Sequence, residues 1–281
     1  MTAAAISRAA LAAPRPRAGV PLWLWPIALV AVIAQLAGHA ATIWTGLALF
    51  LLGFAHGAAE EAGDTLRAPA PATIAFYLVT GAAFAALYLA LPLVGLAAFL
   101  ALSCWHFARS DTGLPPISNA AIAVLSIGGT ALFQPVATAA IFAAMIGAAP
   151  PHWFMFPLAI AGAGGVLLSL ASLRASIIPL IAAAACALVH PVLAVGAIFL
   201  AAHALPVQAA QARQSGWHAV LSAQAPATLA ALVGSAALVA LYLTGNVPLG
   251  WLVAAALGMA LPHVLVDGLE FSAVPPSDTS C

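Results

Sequence analysis

From residue 20 to residue 267 this sequence is one long apolar run after another, broken only by short polar or proline-containing connections. A run of about 20 apolar residues is what a helix needs to cross the hydrocarbon of a bilayer. Ten such segments are read at 20–38, 42–58, 72–91, 93–108, 118–133, 136–149, 153–173, 177–204, 219–243 and 249–267. Gln134-Pro135 is a turn or a kink between two of them, so the expectation is an all-α, polytopic transmembrane helical bundle of about 8–10 helices. The runs are continuous and rich in Ala, Leu and Gly, with none of the alternation of an outer-membrane barrel strand. In lipid, backbone donors and acceptors must be satisfied inside such helices.

Composition matters mainly for what it excludes. Only 5% of residues are charged, and mean hydropathy is +1.13. A soluble domain carries about a quarter charged residues. Seven basic residues, all of them arginine, balance seven carboxylates, so there is no basic surface for nucleic acid. Cys104, Cys186 and Cys281 lack the spacing of a zinc site or a disulfide framework. The organisation expected is an N-terminal arm over 1–19, a single integral-membrane helical domain over 20–271 and a polar tail over 272–281. Arg8, Arg15 and Arg17 precede the first span, which places that arm in the cytoplasm and the protein in the cell (inner) membrane. With ten spans, Arg67, Arg109 and Arg213 also fall inside and only Arg174 outside.

Eight histidines in so apolar a chain are its chemical signal, because ionisable groups within a membrane are costly and usually functional. His56, His106, His203 and His263 each lie near the C-terminal end of an inward-running span, at one common depth. Imidazoles converging from several helices are what a metal site in a bundle core requires. Glu60 and Asp267 each follow a histidine by four residues, on the same helical face, and Asp111 follows His106 by five. Such carboxylates can accept the second ring N–H of a ligating histidine, although helix ends are also where solvated charges belong. His39, His152, His190 and His218 lie at other depths or in connections and read as interfacial or packed side chains. Iron, copper, zinc and nickel all suit imidazole ligands. No arginine or lysine lies within the spans to hold an anion, so an oily substrate, together with dioxygen, fits the surroundings best.

The residues then take on a familiar pattern. Gly53-Phe54-Ala55-His56-Gly57-Ala58 with Glu60, Trp105-His106-Phe107 with Asp111, His190-Pro191 followed by His203, and Leu261-Pro262-His263 together resemble the dispersed motifs of the Brp/Blh family of membrane β-carotene dioxygenases. The resemblance runs from about Leu52 to Val266. It implies an Fe(2+) enzyme that adds dioxygen across the central 15,15′ double bond of β-carotene to give two retinal molecules. On that reading His56, His106, His203 and His263 are the metal residues, with Glu60, Asp111 and Asp267 beside them. Trp44, Phe54, Trp105, Phe107 and Phe199 are candidates to line a polyene slot, or else they pack or face lipid. The family usually has a second histidine one turn after His203, where this chain has Val207 preceded by Pro206. His263 or Glu60 would then complete the ligand set, or the chain is a degenerate relative acting on another lipid or carotenoid. A small transporter or channel, with Gln35, Gln134 and Asn246 as its polar lining, is the competing class.

Overall fold

The structure is a computed structural model and describes residues 20–61, 71–110 and 112–272, with the side chains of 55–61, 73, 227 and 266–272 excepted. Among the described residues there are twelve helices and no strand. In chain order they are α1 Leu24–Leu36, α2 His39–Glu61, α3 Pro71–Ala90, α4 Pro92–Arg109, α5 Pro116–Phe133 and α6 Pro135–Ile146. They continue as α7 His152–Ser172, α8 Ile178–Leu188, α9 Pro191–Ile198, α10 Leu205–Ser215, α11 Trp217–Leu243 and α12 Leu249–Ser272. A π-helical turn, Phe199–Ala204, joins α9 to α10 without a break.

Proline sets most helix starts. α4, α5, α6, α8, α9 and α10 each carry one in the first two positions, where its missing N–H would have found no helical partner anyway. Among the described residues four helices are long and apolar enough to cross a membrane: Pro92–Arg109, Pro116–Phe133, His152–Ser172 and the continuous Pro191–Ser215. Trp217–Leu243 makes a fifth if its 41° bend at Pro226 is allowed within one span. The remaining apolar helices are shorter. Large apolar side chains such as Leu22, Val136 and Leu188 point outward, as lipid contact requires.

Two expected boundaries move. The segment 177–204 is not one helix: Pro191 drives His190 to φ −47°, ψ 137°, away from helical geometry, and α8 ends before it. The connection expected over 209–216 is helical as far as Ser215 and turns only at Gly216. The break at Gln134 is a turn, held by Gln134 Nε2 donating to the carbonyls of Cys186 and Val189, each at 2.7 Å.

Packing is organised around three larger apolar clusters, with a small fourth formed by Ala212 and Val220. One joins α5, α8 and α9 with the π turn through Leu125, Ile178, Cys186 and Ile198. A second joins α3, α4, α6, α7 and α12 through Tyr88, Leu96, Phe142, Phe154 and Leu257. The third joins α1, α2 and α9 through Ala31, Leu49 and Leu193. Small residues let these helices approach backbone to backbone, as is usual where lipid removes most of the hydrophobic drive. A Cβ on Gly196 would strike the carbonyl of Gly46, and one on Gly81 would lie 2.6 Å from that of Gly258. The first contact seats α9 on α2, and the second seats α12 on α3.

Candidate functional site

His106, His203 and His263 meet in the interior, each from a different helical segment. His106 is the hub: its ring centroid lies 5.0 Å from that of His203 and 4.9 Å from that of His263, with interplanar angles of 71° and 80°. Relative exposures are 1% for His106, 1% for His203 and 9% for His263. Among the described residues no three His, Cys, Asp or Glu side chains by themselves adopt a metal-holding arrangement. The side chains of His56, Glu60 and Asp267, and Asp111 as a whole, lie outside the described residues; His56 stands within α2, which packs against the π turn that carries His203.

Local sequence explains how each ring is held. His106 occupies the last turn of α4, and its carbonyl accepts from Ser110 N at 3.0 Å and Ser110 Oγ at 2.9 Å. Asn119 of α5 then donates to the Ser110 carbonyl at 3.0 Å, tying the end of α4 to the next helix. His263 follows Pro262 in mid-helix. That proline supplies no N–H to the Gly258 carbonyl four residues back, and this carbonyl is the one against Gly81.

His203 sits in the π turn, a rare element that often marks functional positions. Pro206 disturbs the hydrogen bonding of this turn, and the consequence can be followed atom by atom. Leu205 N–H bonds back to the Leu200 carbonyl, five residues earlier. In that register the Ala201 carbonyl should accept from residue 206, and Pro206 has no N–H to give. Trp23, just before α1, supplies the donor instead: its indole Nε1 reaches the Ala201 carbonyl at 3.1 Å. Nothing in the sequence pointed to Trp23 or Asn119, since both act on backbone atoms distant in the chain.

Aromatic rings pack against His106 and His203. Phe107 lies 4.4 Å from His203, and Phe199 stacks on His203 at 5.6 Å with a 22° interplanar angle. Phe199 also meets Phe107, Phe54 and Phe50, at 5.6, 5.8 and 4.7 Å. Gly53 makes room for this stack, because a Cβ there would collide with the Phe199 ring. Phe50 belongs with the group although the sequence reading passed over it. Trp105 and Trp44, by contrast, are exposed, and Arg109 stacks over Trp105 at 5.2 Å. The pair therefore faces away from the histidines. Val207, at the position where the resembling family has histidine, is buried.

The other histidines fall elsewhere. His39 and His190 contact each other at 5.1 Å, and Gln35 Oε1 accepts from His190 N at 3.2 Å. His152 opens α7 and His218 lies in the first turn of α11.

Neither the curated proteins nor the solved structures contain a match to this chain. The family model described as beta-carotene 15,15'-dioxygenase matches residues 47–269, a stretch that includes all three core histidines, Gly53 and the aromatic stack. On that match, covering most of its length, the chain belongs to the beta-carotene 15,15'-dioxygenase family.

Proposed function

We propose that this protein is an iron-dependent membrane dioxygenase that cleaves the central 15,15′ double bond of β-carotene into two retinal molecules. The single observation that carries the reading is the imidazole hub: three buried histidines from separate helical segments, inside an apolar bundle and beside a stack of phenyl rings. The donor set suits Fe(2+), and enclosure by apolar side chains suits an oily polyene. His106, His203 and His263 would hold the metal, with His56 or Glu60 completing the set in place of a histidine at Val207. Bound iron would supply the means to activate dioxygen toward the polyene. The chain's own residues orient and enclose: Phe107 and Phe199 hold the His203 ring and offer a flat apolar wall to a conjugated chain. The bundle excludes water, which protects reactive species from side reactions. The reaction conserves its atoms: the central C=C is lost, and each dioxygen oxygen ends as one aldehyde oxygen. The cell membrane would be its site, with the N-terminus in the cytoplasm.

The transporter reading fares worse on particular atoms. Gln134, Gln35 and Asn246, its candidate lining, bond locally to Cys186 and Val189, to His190 and to Thr244, so each serves a turn. The test is expression in a β-carotene-producing bacterium with adequate iron. The orange pigment should fade and retinal accumulate. Unchanged pigment with verified expression overturns the proposal. Metal analysis of the purified protein should find iron.

A further inference from the structure

Helix packing fixes which connections share an end of the bundle. A Cβ on Gly165 would meet Leu125, and one on Gly128 would meet Leu158 and the Gly162 backbone. Rising residue numbers on α5 thus pair with falling numbers on α7, so the two helices are antiparallel. The end of α7, followed by Arg174, lies beside the start of α5, and Leu114 and Ile178 share one apolar cluster there. Arg109, at the end of α4, stands at this same end of the bundle.

α6 stays at the other end. It starts just after Gln134, where α5 stops, and α3 stops at that end too because α4 runs back between them. The Met145 carbonyl, near the finish of α6, accepts from Tyr88 Oη at 2.7 Å, and Tyr88 is two residues from the end of α3. Phe142 packs on Phe154 in the first turn of α7, with ring centroids 5.8 Å apart. α6 therefore begins and ends on one side of the bundle. Its 12 residues span about 18 Å, well short of the hydrocarbon thickness.

The crossing lost at 136–149 is regained within 177–204. α8 runs alongside α5 toward Gln134, which bonds the Cys186 and Val189 carbonyls, and the chain turns back at His190. The histidine-bearing helices keep their expected directions, but α7 is reversed and Arg174, expected outside, changes sides. Hydropathy reads α6 as a span and His190-Pro191 as a kink, and the two changes invert only what lies between them.

The consequence is a one-sided distribution of charge. Arg109, Arg174 and Arg213 are exposed at the end of the bundle that carries the histidine hub. Every other charged residue of the sequence lies before α1, within 60–67, at 111 or beyond 266, in segments that join this end. The connections at the opposite end, 37–38, 91, 134, 147–151, 189–190 and 244–248, hold no Asp, Glu, Lys or Arg. Exposed tryptophans mark both rims, Trp105 and Trp217 at the charged end and Trp153 and Trp251 at the other.

We propose that the charged end is the cytoplasmic face, in contact with lipid headgroups there, and that Pro135–Ile146 is a re-entrant helix in the opposite leaflet. Arginine is retained on the cytoplasmic side of a membrane, and this grouping puts all seven arginines there. His106 precedes Arg109 by three residues, so the hub lies about 5 Å inside that face and not at the centre of the bilayer. The assignment does not depend on the reaction catalysed.

The absence of lysine from the chain gives a clean test. Arg174→Lys, Arg213→Lys, Ala149→Lys and Asn246→Lys are made singly in the full chain, each at an exposed position. Bacterial spheroplasts and inverted membrane vesicles are treated with a membrane-impermeant amine-reactive ester, and peptide mass locates the label. Ala149→Lys and Asn246→Lys should react in spheroplasts only, and Arg174→Lys and Arg213→Lys in inverted vesicles only. Arg174→Lys, the decisive variant, keeps the charge and an exposed side chain, so folding is preserved. Labelling of Arg174→Lys from outside and Ala149→Lys from inside would mean that α6 crosses, and overturns the proposal. The expected grouping with its sides exchanged overturns the cytoplasmic assignment. Failure of Arg174→Lys or Ala149→Lys to react from either side overturns the re-entrant helix.

Discussion

Two groups of histidine rings in this molecule have nearly the same spacing and very different surroundings. His106 sits 5.0 and 4.9 Å from its two neighbours, and His39 sits 5.1 Å from His190, with a similar edge-on geometry. The first group is buried, wrapped by Phe107 and Phe199 and held from behind by capped or interrupted helix ends. In the second, His39 is exposed at the start of α2 and His190 is half-buried beside a helix break. Proximity of imidazoles is therefore a poor guide to chemistry in a chain like this. What separates the groups is desolvation: a ring that water cannot reach must find its partners within the protein or in something the protein binds.

That contrast can be broken most directly at the hub. His106→Ala should abolish polyene cleavage, a loss of more than about 100-fold, since even residues behind a metal ligand cost up to that much. Iron content of the purified variant should fall with it. Activity above a tenth of wild type would dissolve the proposed centre. Next in size is Gly53→Leu, whose side chain would displace Phe199 and with it the His203 ring. A shift of about 1 Å in a positioned group can cost about 100-fold in rate, and a loss of at least about tenfold in kcat is expected. Wild-type turnover in that variant would show that the aromatic stack is only packing.

Trp23→Phe keeps the ring and removes the N–H that serves the Ala201 carbonyl. Leaving that buried acceptor unmet should cost about 1–3 kcal/mol of stability, read as a lower melting temperature. Cleavage should fall severalfold as the π turn loosens. No change in either readout would remove Trp23 from the argument. The smallest effects are expected in the comparison group. His39→Ala, His190→Ala and His218→Ala should each leave cleavage within about twofold, in keeping with surface substitutions. A large loss at His39 or His190 would mean that the second pair has a role at the catalytic centre.

The membrane-type helical fold was legible in the sequence because hydropathy is additive and local. A run of apolar residues is solvated by lipid whatever its neighbours do, so its helical character and rough limits follow from composition alone. The depth of His106, His203 and His263 was legible for the same reason, since helical rise converts residue number into height. The proline positions were visible, but their outcomes were not all foreseen. His190-Pro191 reads as a kink within the segment 177–204, whereas in the structure His190 leaves helical geometry and a new helix starts at Pro191, seated on α2 through Gly46 and Gly196.

Sequence by itself determined that this chain is a bundle of apolar helices with a few histidines placed at one level, because burial and rise depend on each residue and its near neighbours. Tertiary structure alone decided which of those imidazoles touch, that Phe50 joins Phe199 while Trp105 turns outward, and that Trp23 reaches a carbonyl 178 residues away. Those contacts depend on helix rotation and crossing, which are set by where backbones can approach and by which carbonyls proline leaves without a donor. Neither quantity is carried by any one segment of the chain.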